Sequence, residues 1–430
     1  MTKRTLLVIG ASALAAPSWA CLNDRDTTTL ADVAGKFPNA VQVITGRFPR
    51  NPPLYYEMRI QRITGKLKRN PNLLPEYDDI AVACDRIGRD DEAIAWMEGK
   101  RERMLALGKS GDAPDSGDTP WYRYYANNGT FWVHRYMHSA GKRPLSDVEN
   151  ARSLIQKAIE VYPGAHYGRE RFQVYAMDWM LNEGTRERSN GYTQEQPLGE
   201  YMVERGFSET ERPSGTNRIA ATVDGIAGII VLGAGWESVD MFDALSFAFR
   251  YHHVRGAPIG QLATMRVSEL LRAGKRSAWP GHPLLHFTVV PPAPAATSTY
   301  WSVESNYVRL RKEAEEWQAK RTAYMVVRLQ AGRHPDTDPA FWAEYKDAPA
   351  PPIYNAPWYV RAWWGLENLG FFAWLIGATV LPTALFIRSR WIASRTGRPS
   401  TFSWGTLFAL LAFVWLVALI LFPVFAKARV

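Results

Sequence analysis

The chain has 430 residues, 47% of them apolar and 13% aromatic, with a formal net charge of +9. That apolar content excludes disorder as the main state and allows a sizeable core. Lys3, Arg4, Arg388, Arg390, Arg395, Arg398, Lys427 and Arg429, less Glu367, account for most of the positive excess. The long middle is therefore nearly neutral, and the charge reads as targeting and topology rather than as a nucleic-acid footprint.

Residues 1–20 have the pattern of a secretory leader: Lys3 and Arg4, an apolar stretch from Thr5 to Ala16, and the small-x-small site Ser18-Trp19-Ala20 before Cys21. The apolar stretch is too short to span a bilayer. Lipidation of Cys21 is the alternative, although a lipid-attachment site ordinarily has leucine where Ser18 stands. Cys21 and Cys84 permit one disulfide in an oxidising compartment, with a buried free thiol at Cys84 as the other reading. Asp24-Arg25-Asp26 follows; it holds too few oxygen ligands for a calcium loop and reads as a solvated or capping segment.

Asn39 to Asn70 supplies one or two helices. Next, Tyr77, Ile80, Ala81, Cys84, Gly88, Ala93 and Met97 follow the spacing of a helix pair. Ala81 and Ala93 are the small contacts that let two helices approach, and Gly88 closes the turn. A second pair has Tyr125, Asn128, Gly129 and Trp132 on its first helix and Ala151, Ile155, Ala158 and the stop Pro163 on its second, with an enlarged turn through Gly141 to Pro144. Here the sequence resembles the tetratricopeptide repeat (TPR) family. The strings Cys21 to Thr27, Ile44 to Phe48 and Ala165 to Glu170 are similar to those of exported, functionally uncharacterised bacterial members, over about Cys21 to Ala273. The resemblance implies stacked helices and export, and brings no catalytic residue.

Gly168 to Leu181 predicts a further helix, Gly184 to Gly215 a long loop, and Asp224 to Gly235 a close-packed core helix. Asp240 to His253 and Ile259 to Ala273 form a third pair. After a Pro/Ala linker at Pro291 to Thr299 comes an amphipathic helix from Val303 to Gln330, with Tyr307, Leu310, Ala314, Trp317 and Tyr324 recurring at helical intervals. Asp347 to Pro357 reads as a semi-rigid stalk. Leu369–Ile387 and Trp404–Ala426 carry no charge and are long enough to cross a bilayer. Four arginines between them put that link in the cytoplasm and the preceding domain outside.

The expected architecture is all-α: a TPR-like helical-repeat (α-solenoid) extracytoplasmic domain plus a C-terminal two-helix transmembrane hairpin. Its divisions are the leader, a TPR-like domain at 21–183, a loop and further helix pair at 184–290, a linker, amphipathic helix and stalk at 291–357, and the membrane helices at 358–430. The expected place is the bacterial inner membrane, with the main domain periplasmic. Concave grooves of stacked helix pairs hold peptides, so Tyr125, Asn128, Trp132 and His134, with Arg169 and Glu170 nearby, are the candidate groove for another exported or membrane protein. No nucleic acid and no cofactor is expected. No nucleophile or phosphate-binding motif occurs, and the expectation is a scaffold rather than an enzyme. His134 and His138 share a helix face at ligand spacing but lack a third ligand, as do His252-His253 and His282-His286. A metal-dependent envelope enzyme built on His134 and His138 is the alternative, as is an accessory subunit of a membrane complex acting through its membrane helices.

Overall fold

The computed structural model describes residues 22–26, 39–109, 118–139, 144–183, 185–187, 193–208, 218–233, 235–251, 257–277, 298–352, 358–400 and 402–427. They are almost entirely helical and divide into two compact units, residues up to 353 and from 354 onward. The leader, Cys21, the two histidine pairs His252-His253 and His282-His286, and the linker up to Thr297 lie outside the described residues.

The first unit starts with α1 (Ala40–Thr45), opened by a capping box in which the Gln42 amide donates to Asn39 and the Asn39 amide to Gln42. Helix α2 (Pro53–Arg69) has proline at its first position, where the missing N–H costs nothing. Helices α3 (Leu74–Arg86) and α4 (Asp90–Ala106) are the predicted first pair. Gly88 between them has φ +75°, in the left-handed region a side chain resists. Tyr77, Ala81, Cys84, Ala93 and Met97 are all buried in one apolar cluster, as the spacing requires.

The second pair is α5 (Pro120–His138) and α6 (Ser146–Val161). Thr119 caps α5 by accepting from the Tyr122 amide at 3.1 Å. The two helices meet at Gly129, where an added Cβ would sit 2.8 Å and 2.9 Å from two Ile155 carbons and 3.0 Å from the Ala151 carbonyl oxygen. Ala151, Ile155 and Ala158 are each 0% exposed, so the neighbouring surface has nowhere to yield. Gly129→Ala is therefore expected to destabilise by about 1–3 kcal/mol through overpacking, despite the roughly 1 kcal/mol helix-propensity advantage of alanine. Urea denaturation checks this, and a stabilised variant would mean that the two helices are not held this close.

Helix α7 (Glu170–Asp178) runs into one turn of π-helix, Trp179–Glu183. The described part of the stretch expected to be a loop, residues 185–187 and 193–208, is largely regular structure. It contains a two-stranded antiparallel hairpin, β1 (Thr185–Glu187) and β2 (Thr193–Glu195), with Arg186 opposite Gln194. It also contains α8 (Leu198–Ser208), which buries Leu198, Tyr201, Met202 and Val203. Helix α9 (Arg218–Leu232) is the expected core helix, with Ile226, Ile229 and Ile230 at 0% exposure. Helices α10 (Val239–Tyr251) and α11 (Ala257–Arg272) are the third pair.

Helix α12 (Ser298–Gln330) is 33 residues long, about 50 Å at 1.5 Å per residue, and lies along the body as a strap. Val303, Tyr307 and Leu310 join the main core. Met325 and Leu329, with Phe341 beyond the helix, pack on Tyr55, Tyr56 and Ala83. Residues 347–352 are likewise no free-standing stalk. Trp317 Nε1 donates to Asp347 at 2.6 Å, Arg47 to the Ala348 carbonyl, and Arg309 to the Pro352 carbonyl at 2.9 Å. Trp317 and Arg309 on α12, with Arg47 just after α1, are what hold this chain down.

The second unit is α13 (Trp358–Thr396), with Pro382 inside it, and α14 (Trp404–Lys427). The helices pack on each other, with Phe386 and Trp404 ring centroids 4.6 Å apart. Among the described residues no helix is long and apolar enough to cross a membrane. The predicted spans are described only in part. For side chains α13 is described from Trp374 onward, a stretch containing Arg388, Arg390 and Arg395, and α14 only as far as residue 417. The arginine-bearing link, expected as a loop, is mostly a continuation of α13.

Candidate functional site

Helix α5 carries the polar interior of the first unit. Asp78 and Asp85 stand seven residues apart on α3, and Asn127 and His134 seven apart on α5. Seven residues are two helical turns, so helices lying side by side pair these residues rung by rung. Asn127 Nδ2 donates to Asp78 at 3.3 Å, and His134 Nδ1 lies 2.7 Å from Asp85. One turn beyond His134, His138 Nδ1 lies 2.7 Å from Asp90, the first residue of α4. Asp78 also accepts from Lys100 Nζ at 2.6 Å and 2.7 Å, both side chains being only 1% exposed. Burial pushes the Asp78 carboxyl up and pulls the Lys100 ammonium down, in each case against the attraction of the partner.

The structure disperses the six predicted groove residues. Tyr125 is half-buried and stacked on Trp121, with Lys157 over its ring. Trp132 is half-buried beneath the Arg135 guanidinium, 4.0 Å from its ring centroid. Asn128 is buried and donates to Glu98 at 3.0 Å, and His134 is fully buried on Asp85. Glu170 is buried and accepts from Tyr122 Oη at 2.7 Å. Arg169 is half-buried, its side chain lying where a Cβ on Gly228 would go. Asn128, His134 and Glu170 are thus interior, for a plain reason: a buried polar side chain is costly unless partnered, and each finds its partner inside the protein. They line no open groove.

Cys84 is buried, and burial raises its thiol pKa to about 12; Cys21 lies outside the described residues, so the pairing of the two does too. Among the described residues no three His, Cys, Asp or Glu side chains converge as a metal site. The two α5 histidines each face a separate aspartate, Asp85 or Asp90.

Among the described residues, two places stand out where something could dock. One is an open cleft of about 370 Å³, lined by Gly88, Arg89, Asp90, Asp91, Glu92, Arg135, His138 and Ser139, where the α4 N-terminus meets the α5 C-terminus. Its walls are charged and cross-paired: Arg89 with Glu92, Arg135 with Asp91 at 3.1 Å, and His138 with Asp90. Asp91 and Glu92 keep 66% and 51% of their side-chain surface in solvent, so they are open to a visiting group.

The other is a socket that sequence reasoning missed altogether. Asp24 is buried and Asp26 half-buried: Arg59 of α2, itself 0% exposed, is 3.2 Å from Asp24, 3.0 Å from Asp26 and 2.7 Å from Asp336. Tyr55 Oη donates to Asp26 at 2.8 Å, and His334 stacks on the Tyr55 ring. Burial favours the uncharged Arg59, but Asp26, Tyr55, Asp336 and Asp24 outweigh it and hold the guanidinium pKa well above its ordinary value. No local pattern could show this, because Asp336 is 277 residues from Arg59. No family model, no curated protein and no solved structure matches this chain.

Proposed function

We propose that the chain is a helical-repeat scaffold of the bacterial envelope that holds another exported or membrane protein, with its C-terminal helices as the tether. The observation that carries this reading is the packing at the repeat positions. Small residues at 81, 93, 129, 151 and 158 and the left-handed turn at Gly88 let successive helices close on one another. Stacks of that kind present edges and clefts rather than reactive centres. The charged cleft between α4 and α5 is the docking edge, and a polar, charge-bearing segment of the partner fits its mixed walls. The tether reading is supported by the uncharged runs of α13 and α14 and by Ile376, Val380, Leu381, Phe408, Phe413 and Leu416, which are exposed apolar side chains. In the envelope, the leader would deliver the helical body to the periplasmic side.

The test places a photo-crosslinking residue at Ser139 in full-length chain expressed in a bacterial envelope. Charge reversal of Asp91→Lys with Glu92→Lys is expected to reduce the crosslinked partner band to less than about a third, as breaking rim charge complementarity does, while the melting temperature falls by only a few degrees from the lost first-turn charges. An undiminished band would remove the cleft from consideration.

A further inference from the structure

Residues Leu22–Asp26 are held as a ligand is held. Leu22 is 0% exposed, in the apolar cluster of Ile63, Leu67, Ile80 and Ala81. The backbone at Asn23 is clamped from both sides by one side chain: its N–H donates to Asn127 Oδ1 at 2.7 Å, and its carbonyl accepts from Asn127 Nδ2 at 2.9 Å. The Arg25 N–H donates to Asp79 Oδ1 at 2.9 Å, and its guanidinium Nε to Asp79 Oδ2 at 2.7 Å, with Glu76 at 3.6 Å. Arg59 takes Asp24 and Asp26. Main-chain groups bonded by side chains, with the charged side chains of the segment paired as well, are the marks of peptide recognition.

We propose that this socket, built from Arg59, Asp79, Asn127 and Asp336, is a peptide-binding site whose resident ligand is the chain's own segment 22–26, held exchangeably in cis. The ligand class follows from the partners: a short segment in the order apolar, Asn, acid, base, acid, with helical backbone from the base onward. The apolar residue fills the cluster under Leu22, the asparagine presents its backbone to Asn127, and the two acids flank a base that matches Asp79. Tethering gives the resident segment an effective concentration in the millimolar range. An external segment of the same order therefore gains access only when the resident one is released. The inference does not depend on the partner-holding reading, since the cleft and the socket answer to different probes.

The test introduces a protease recognition sequence between residues 27 and 38 of the full chain, cuts it, and titrates a fluorescent peptide of residues 22–28. The cut chain is expected to take up one equivalent of peptide. Asn127→Ala in the chain, or Asp24→Ala in the peptide, should weaken that uptake at least tenfold, and uncut chain should take up less than a tenth as much. Equal uptake of a scrambled peptide, or no saturable uptake while helical circular dichroism is retained, overturns the proposal. So does unfolding on loss of the segment, which would make residues 22–26 an integral part of the fold. Hydrogen exchange on the uncut, unmutated chain gives an independent reading. The Asn23 and Arg25 amides should exchange faster than the α3 core amides; exchange only together with those amides, in global unfolding, counts against the proposal.

Discussion

Lys100→Met is expected to lower stability by about 3–5 kcal/mol, the range for leaving one member of a buried ion pair without its partner. The Asp78 carboxylate would be left 1% exposed, with the Asn127 amide at 3.3 Å in place of an ammonium. The double variant Asp78→Leu with Lys100→Met should recover most of that loss. Burial already drives both groups toward their neutral forms despite their mutual attraction, so an apolar pair of similar volume gives up little. A chemical-denaturation double-mutant cycle measures this. If the double variant is no more stable than Lys100→Met alone, the pair contributes net stability and the argument from desolvation is wrong.

Arg59→Met should have a comparable effect, about 3–5 kcal/mol, because it takes a buried cation away from Asp24 and Asp336, whose side chains are 4% and 3% exposed. It carries a pH signature that a simple cavity would lack. Burial would raise the Asp336 pKa, but the bond and charge of Arg59 outweigh it and hold the carboxyl below its ordinary 3.8. A carboxyl depressed in the folded state contributes stability above its unfolded pKa, and that contribution is lost as pH falls through the folded value. The unmodified chain should therefore lose stability on acidification below about pH 4, and Arg59→Met should flatten that decline. Melting temperatures between pH 2 and pH 7 show whether it does; parallel profiles would detach Asp336 from Arg59.

Much of the helical layout can be read directly from the residues. Gly129, Ala151 and Ala158 are small where a neighbouring helix comes close, and Gly88 stands where the chain must turn left-handed; both are local demands that a sequence displays. Helix α8 is legible in principle, since Leu198, Tyr201 and Met202 recur at helical spacing, but the glycines and charges on either side of it mask the pattern. The polar interior is another matter. Asn127 and Arg59 differ in no local way from neighbours such as Arg123 or Arg69, and what buries them is a partner brought from far along the chain. The candidate groove fails for the same reason. Asn128 and His134 are polar residues on the helix expected to line a groove, but they pack on Glu98 of α4 and Asp85 of α3.

The strap helix has a consequence for biogenesis. Arg59 meets Asp336 across 277 residues, and Arg50 meets Gln318 across 268. At 5–20 residues per second a ribosome needs roughly 15–55 s to make the intervening chain. Through that interval Arg59 has Asp24 and Asp26, made before it, but lacks Asp336, and Tyr55 and Tyr56 lack the cover of Met325, Leu329 and Phe341, so the α2–α3 region stays incompletely packed until the last third of the chain arrives. Under the export proposed above, such a delay would help, because only an unclosed polymer can pass a narrow channel.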